Sequence, residues 1–535
     1  MEEQFLQRTH EILQERWRTS PVAATRDGIH DWDSDLDCFD PDFRQGVLNR
    51  KKEHLRELEK FSPNLLSADA RLDHQLLTNA LLSEVADWED LHWWRKDPGL
   101  YFSVALQGIY LLREREFAPL PERARCILSR LRQIPRLLTE GMSNLLYPPR
   151  VFIELALEVT DAGEKFIAET VSTLGTQLPA LADELSRTGS EARFAMEEAR
   201  KILQEKYLPG AGEDFAIGEE LFNFKLRVDH VLPHTAADLW DLGEEAVASS
   251  ESQLEREALG IAGTKDWREL IGEFRKVHPE PGELLAVYRQ EMGRAREFVI
   301  ARGLAVLAPG EELEVVATPV FERPTTPYAA LVPPAAFDEK QKGFFFVTPV
   351  ENSLPSEERR ERLQEHSRYA IPIIACHEGY PGHHLQLTLA NQHPSRVRRV
   401  LGTPVFWEGW ALYCEEMMYE EGFYQDPRCR LFQLKDQLWR ACRILADVGL
   451  HVRGKTRAWA VDLLVERAGL ARANAAMEVE RYCSTPTYQL SYYVGKLQIL
   501  ELRRRWQVRS GSSPLGDFHN WVLSFGSLPP SLVPL

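Results

Sequence analysis

The sequence predicts a mainly α-helical protein, large and two-lobed around a central cleft, with a small β-sheet next to the helix that carries its chemistry. Apolar residues recur at helical spacing through the first 300 positions, and the pattern returns from Ser356 to about residue 508. Between them, at about 312–349, three short β-branched or aromatic runs break the helical period. The 535 residues are 44% hydrophobic and 27% charged, globular proportions that permit a sizeable core.

Taken in order, Phe5, Leu6, Ile12 and Leu13 start the helical pattern; Ile127, Leu131, Ile134 and Leu138 continue it, and so do Leu239, Leu242 and Ala246. Pro135 falls inside the second group and predicts a kink or break there. Proline pairs at 119/121 and 148/149 predict short connections. The segment 209–213, Pro-Gly-Ala-Gly-Glu, is the best joint. It divides an N-terminal helical lobe, 1–210, from a region 211–535 that holds sheet and site, unless the whole is one continuous domain. The β runs are 314–321, 328–334 and 343–349; each contains or ends in proline, as edge strands allow. Beyond residue 508 the chain reads as a Gly/Ser/Pro-rich tail.

With 64 Lys and Arg against 81 Asp and Glu, the formal charge is −17, which argues against nucleic acid or an anionic membrane as partner. No run approaches the ~18–20 apolar residues of a membrane span. The charged, amphipathic first 17 residues do not resemble a secretory signal. Seven cysteines, scattered and without a C-x-x-C pair, predict reduced thiols in a cytoplasmic protein.

Residues 373–386 read Ile-Ile-Ala-Cys-His-Glu-Gly-Tyr-Pro-Gly-His-His-Leu-Gln. His377-Glu378 with further histidines within two turns points to the H-E-x-x-H zinc helix, where two imidazoles bind the metal and the glutamate acts on a water. The spacing is not standard, because Pro381 stands where the second histidine belongs. On a straight helix His383 would lie about 120° off the face of His377, and His384 about 20° off but ~10 Å further along the axis. Pro381-Gly382, read as a two-residue bulge, restores the motif with His383 as second ligand in preference to His384. A third ligand is required, and residues 406–416 offer two glutamates. Glu408 and Glu415 lie two turns apart on nearly one helix face, so one can ligate and the other can support an imidazole. Cys376 and Cys414 read as buried small hydrophobes.

With those motifs in hand, the chain resembles the bacterial "domain of unknown function 885" family, which is placed in the gluzincin-type zinc-peptidase clan. The resemblance is sharp over about 343–505. It includes Arg443, Asp447 and His451 in an R-x-x-x-D-x-G-L-H segment, and Arg481 to Lys496 in a second motif segment. It implies one Zn²⁺, Glu408 as third ligand, and a substrate groove along an edge strand, for which residues 343–349 are the natural counterpart. One departure is Tyr488, where many relatives carry glutamine.

The resulting expectation is a zinc hydrolase, most simply a peptidase of short peptides. His377, His383 and Glu408 hold the metal, Glu378 is the general base, and Tyr492 and His451 are donors to a developing oxyanion. Arg481 and Lys496 are candidates to grip a substrate carboxylate, with Tyr488 in the substrate pocket. Hydrolysis of a non-peptide amide and an idle metal-bearing binding protein are the alternatives.

Overall fold

The computed structural model describes residues 1–319, 323, 326, 328–351, 354–511 and 513–534. Helices dominate, joined by one three-stranded sheet, and the chain forms two units. The first comprises Met1–Phe215 with Ala335–Asp338; the second comprises Ala216–Pro334 with Glu339–Leu535. The division at 215/216 falls just after 209–213, and four residues from beyond the sheet's second strand belong to the first unit.

The first unit is helical throughout. Leu120–Asn144 packs on Gly99–Glu114 and on Ala182–Ile202, which also packs on Arg150–Gln177. Leu120–Asn144 runs unbroken through Pro135, contrary to the kink or break its sequence suggests. Proline removes a single donor, whereas Ile127, Leu131, Ile134 and Leu138 are all buried on one face, and that burial holds the helix together. Trp88 and Trp94 stack on each other at 4.5 Å, and Trp93 lies against Phe152.

In the second unit, helix α1 (Leu284–Ala301) precedes strands β1 (Glu312–Ala317), β2 (Ala329–Val332) and β3 (Lys342–Val347). There follow α2 (Ile371–Glu378), α3 (His383–Ala390), α4 (Pro404–Glu420), α5 (Pro427–His451), α6 (Arg472–Ser484), α7 (Ser491–Ser510) and α8 (Leu515–Leu523). The three β runs become the three strands, although Val320 and Phe321 of the first run lie outside the described residues. Strand order is β1-β3-β2, with β1 parallel and β2 antiparallel to β3. β3 is therefore central, and 343–349 is not the edge strand expected of it, because both its ladders are already filled. Its alternate residues Phe345 and Val347 are fully buried against Tyr288 of α1 and Ile371 and Ala375 of α2. The sheet is in this way fastened to the helix that carries His377.

The C-terminal segment is not a plain tail. It forms α8, whose buried His519 donates from Nδ1 to the Leu304 carbonyl (2.7 Å) and accepts at Nε2 from the Tyr413 hydroxyl of α4 (2.8 Å).

Candidate metal centre

α2 is apolar on almost every side, with Ile371, Ile373, Ala375 and Cys376 buried, so its last residues are held inside the unit. It ends at Glu378 and α3 begins at His383. The Pro-Gly insertion therefore makes a break between two helices rather than a bulge within one. The amide of Gly382 donates to the Cys376 carbonyl (2.9 Å), and a Cβ on Gly382 would stand 1.9 Å from the His377 carbonyl oxygen. Only glycine permits that approach. Trp410 of α4 donates from Nε1 to the Pro381 carbonyl at 2.8 Å and fixes the break against the next helix.

α4 starts at a Thr403 cap whose hydroxyl accepts from the Val405 amide, with Pro404 in its first turn. It meets α7 backbone to backbone: a Cβ on Gly495 would lie 1.9 Å from the Val405 carbonyl oxygen. This crossing brings Glu408 and Tyr492 to the same place.

There the two glutamates of α4, two turns apart, address the two nitrogens of one imidazole. Glu415 Oε1 lies 2.8 Å from His377 Nδ1, and Glu408 Oε2 lies 3.9 Å from His377 Nε2 and 3.3 Å from His383 Nε2. The Nδ1 proton donated to Glu415 leaves Nε2 as the lone-pair nitrogen. Among the described residues, the group of His, Cys, Asp and Glu able to share one cation is His377, His383 and Glu408. Glu408 Oε2 is buried and has no hydrogen-bond partner, while Oε1 accepts from Tyr488 at 2.5 Å. An orphaned carboxylate oxygen facing two imidazole nitrogens fits a cation. Ligand atoms ~2.1 Å from a common tetrahedral centre stand ~3.4 Å apart, close to the separations found, and a His₂Glu set is one that zinc accepts.

The electrostatics agree. Burial by itself would raise the Glu408 carboxyl, but His383, His377 and the Tyr488 hydroxyl bring it down to about 2. Burial opposes charge on His383, yet Glu408, Glu378 and Glu415 leave it raised. Glu378 is half-buried at the end of α2.

The other expected site residues divide. Tyr492 lies beside the cluster, its ring 6.4 Å from that of His377 at 17°, and burial followed by Glu408 pushes its hydroxyl up to about 12. Arg481 is paired with Glu478 (2.8 Å), its side chain 42% exposed. His384 is not a ligand candidate: its Nε2 meets Glu311 Oε2 at 2.8 Å, because one residue of helical rotation turns it toward the sheet side. His451 does not reach the cluster either. Its Nε2 is committed to the Tyr482 carbonyl (3.0 Å), and burial lowers it to about 4. Lys496 is 3% exposed, with its ammonium bound by Glu416 and by Gln437 Oε1, so no substrate carboxylate can take it. Tyr488 points at Glu408 rather than at a pocket for substrate. Cys376 and Cys414 are buried thiols raised by desolvation, as small hydrophobes should be.

Glu311 has no signal in the sequence. Just ahead of β1, it accepts from Tyr380 (2.5 Å) and Arg296 (3.0 Å) as well as meeting His384, and so braces the residues on either side of the Pro-Gly break.

Residues 21–534 match the family model described as bacterial protein of unknown function (DUF885). No curated protein matches the chain. Two solved structures are similar over their whole length. One is a candidate lipoprotein of unknown function from Shewanella oneidensis, 26% identical, covering 99% of this chain and 98% of that one, with a TM-score of 0.82. The other is a candidate lipoprotein from Colwellia psychrerythraea, 19% identical, covering 99% and 97%, with a TM-score of 0.85. Among the described residues, no helix is long and apolar enough to cross a membrane.

Proposed function

From the premise that the chain belongs to the DUF885 family, we propose that it is a zinc-dependent peptidase of gluzincin type acting on short peptides. The observation that carries this reading is the orphaned Oε2 of Glu408 facing His377 and His383, with Glu378 next to the first of these histidines. Zinc bound there would bring the pKa of a water toward ~7 and polarise a carbonyl.

The chain's own groups supply the rest. Glu415 holds the His377 ring in one tautomer and orientation. Glu378, on the residue after the first ligand, takes a proton from the attacking water on its carboxylate and delivers it to the leaving amine. The Tyr492 hydroxyl, kept protonated by burial, donates a hydrogen bond to the carbonyl oxygen as negative charge develops on it. Arg481, partly exposed beside Glu478, is the remaining candidate to meet a peptide carboxylate. As for location, the descriptions of the two solved relatives favour a lipoprotein-like setting over the cytoplasmic one suggested by the cysteines.

The test is a mixed dipeptide-to-decapeptide library, read by mass spectrometry, with wild type and Glu378→Gln. Products formed by wild type and lost in the variant, with zinc content equal in both, are the expected result. No cleavage of any member by zinc-loaded wild type would overturn the peptidase assignment.

A further inference from the structure

Tyr488 belongs to none of the roles above, yet its hydroxyl makes the contact that decides how Glu408 is presented. It donates to Oε1 at 2.5 Å, a charge-assisted hydrogen bond to a buried carboxylate. With Oε1 occupied, only Oε2 is left for the two imidazoles.

The loop between α6 and α7 that carries Tyr488 is unusually constrained. Thr487 has φ +67°, a left-handed conformation that a β-branched residue adopts only when its surroundings force it. The forcing groups are buried. Asp447 of α5 accepts from the amides of Thr487 (3.1 Å) and Leu490 (3.3 Å). His230 bridges the Thr487 hydroxyl (2.9 Å) and the hydroxyl of Thr403, the residue that caps α4 (2.9 Å). One imidazole therefore ties the Tyr488 loop to the start of the helix that bears Glu408. Backbone strain held in place beside a ligand is most simply explained by the direction it gives the neighbouring side chain.

We propose that Tyr488, set by Asp447 and His230, is a positioning residue that restricts Glu408 to one-oxygen ligation, so that metal retention depends on a phenol outside the ligand set. This rests on the metal reading given above. The restriction leaves a coordination position free of protein, as a hydrolytic site requires.

The experiment measures zinc affinity by competition with a chromophoric chelator, and the visible spectrum after cobalt loading, for wild type, Tyr488→Phe and Tyr488→Gln. Thermal melts of the metal-free proteins establish that each is folded. Tyr488→Phe is expected to bind zinc about ten- to hundredfold more weakly, the usual penalty for losing a partner of a metal ligand. Its cobalt bands should weaken as Glu408 becomes two-pronged and the coordination number rises. Tyr488→Gln, whose amide can donate to Oε1, should recover part of both. Zinc bound as tightly by Tyr488→Phe as by wild type would overturn the proposal, as would weaker binding with an unchanged cobalt spectrum. Failure of wild type to bind zinc at all would instead overturn the metal reading, and this inference with it.

Discussion

In the unit that begins at Met1, a wholly buried guanidinium, Arg130, donates to the carbonyls of Gly108 (2.7 Å) and Asp35 (2.9 Å) and to the Thr25 hydroxyl (2.6 Å). Arg123 does the same for the Ala118 and Leu112 carbonyls, at 3.0 Å each. The unit that begins at Ala216 also buries two guanidinium groups, Arg398 and Arg443, but it differs in its seven buried imidazoles: His230, His366, His377, His383, His384, His451 and His519. The one buried histidine described in the first unit, His54, pairs with Glu15. Guanidinium groups are charged at any working pH and close off stray carbonyls, which serves only to hold helices together. Imidazoles can be neutral, can present a lone pair and can change state, so they place chemistry within reach but make the second unit sensitive to its surroundings.

Acid is the largest lever on that difference. Burial first of all lowers His230, His366, His451 and His519 to about 4 each. Between pH 6.5 and 4 the unfolded chain binds these protons and the native one does not, so stability falls as pH drops through that window, by on the order of 1 kcal/mol per pH unit for each imidazole. Asp447 opposes them: burial raises it to about 7, so the native state holds a proton the unfolded state releases. Asp97, raised to about 6 by burial, acts likewise in the first unit, without opposing histidines of this kind. Hydrogen exchange followed from pH 7 to pH 5 should show residues 216–535 losing protection before 1–215. The reverse order would break the comparison.

Next in size is Arg130→Met. It strands the carbonyls and leaves Asp33 without its nearby cation, and should destabilise by about 3–5 kcal/mol in a denaturant titration. Zinc content should stay unchanged, since the guanidinium has no part in the second unit. Two glycines then sharpen the contrast in packing. Gly495→Ala drives a methyl into backbone at 1.9 Å and should destabilise by about 3 kcal/mol; Gly108→Ala meets the tip of Leu36 at 2.6 Å, which can turn aside, and should lose about 1 kcal/mol. The smallest effect on the fold itself is that of Glu415→Gln. Removing the carboxylate charge from His377 should weaken zinc binding about tenfold, ~1.4 kcal/mol, with the melting temperature of the metal-free protein nearly unchanged.

The parts of the site legible in the sequence are those fixed by local spacing. His377, Glu378 and His383 surround one backbone break, and Glu408 and Glu415 share one helix face. The three strands likewise show as runs of β-formers. What sequence could not supply depends on which surfaces meet. Strand order follows no periodicity, so β3 turned out central. His384 and His383 differ only by one residue of helical rotation, which the Pro-Gly break left undetermined. Lys496 and His451 sit in motifs, yet Glu416 and the Tyr482 carbonyl, reached through packing, absorb their polar atoms. Tyr488 gains its role from a loop held by residues 257 and 40 positions away from Thr487. Pro135 shows the opposite case: a strong local signal outweighed by a buried face.

The central claim is that His377, His383 and Glu408 hold one zinc ion. Inductively coupled plasma mass spectrometry on purified wild type and His377→Ala tests it most directly. About one zinc per wild-type chain, lost in the variant while the fold is kept, is the predicted result. Wild type that retains no zinc after it is added back and the excess removed would contradict the claim.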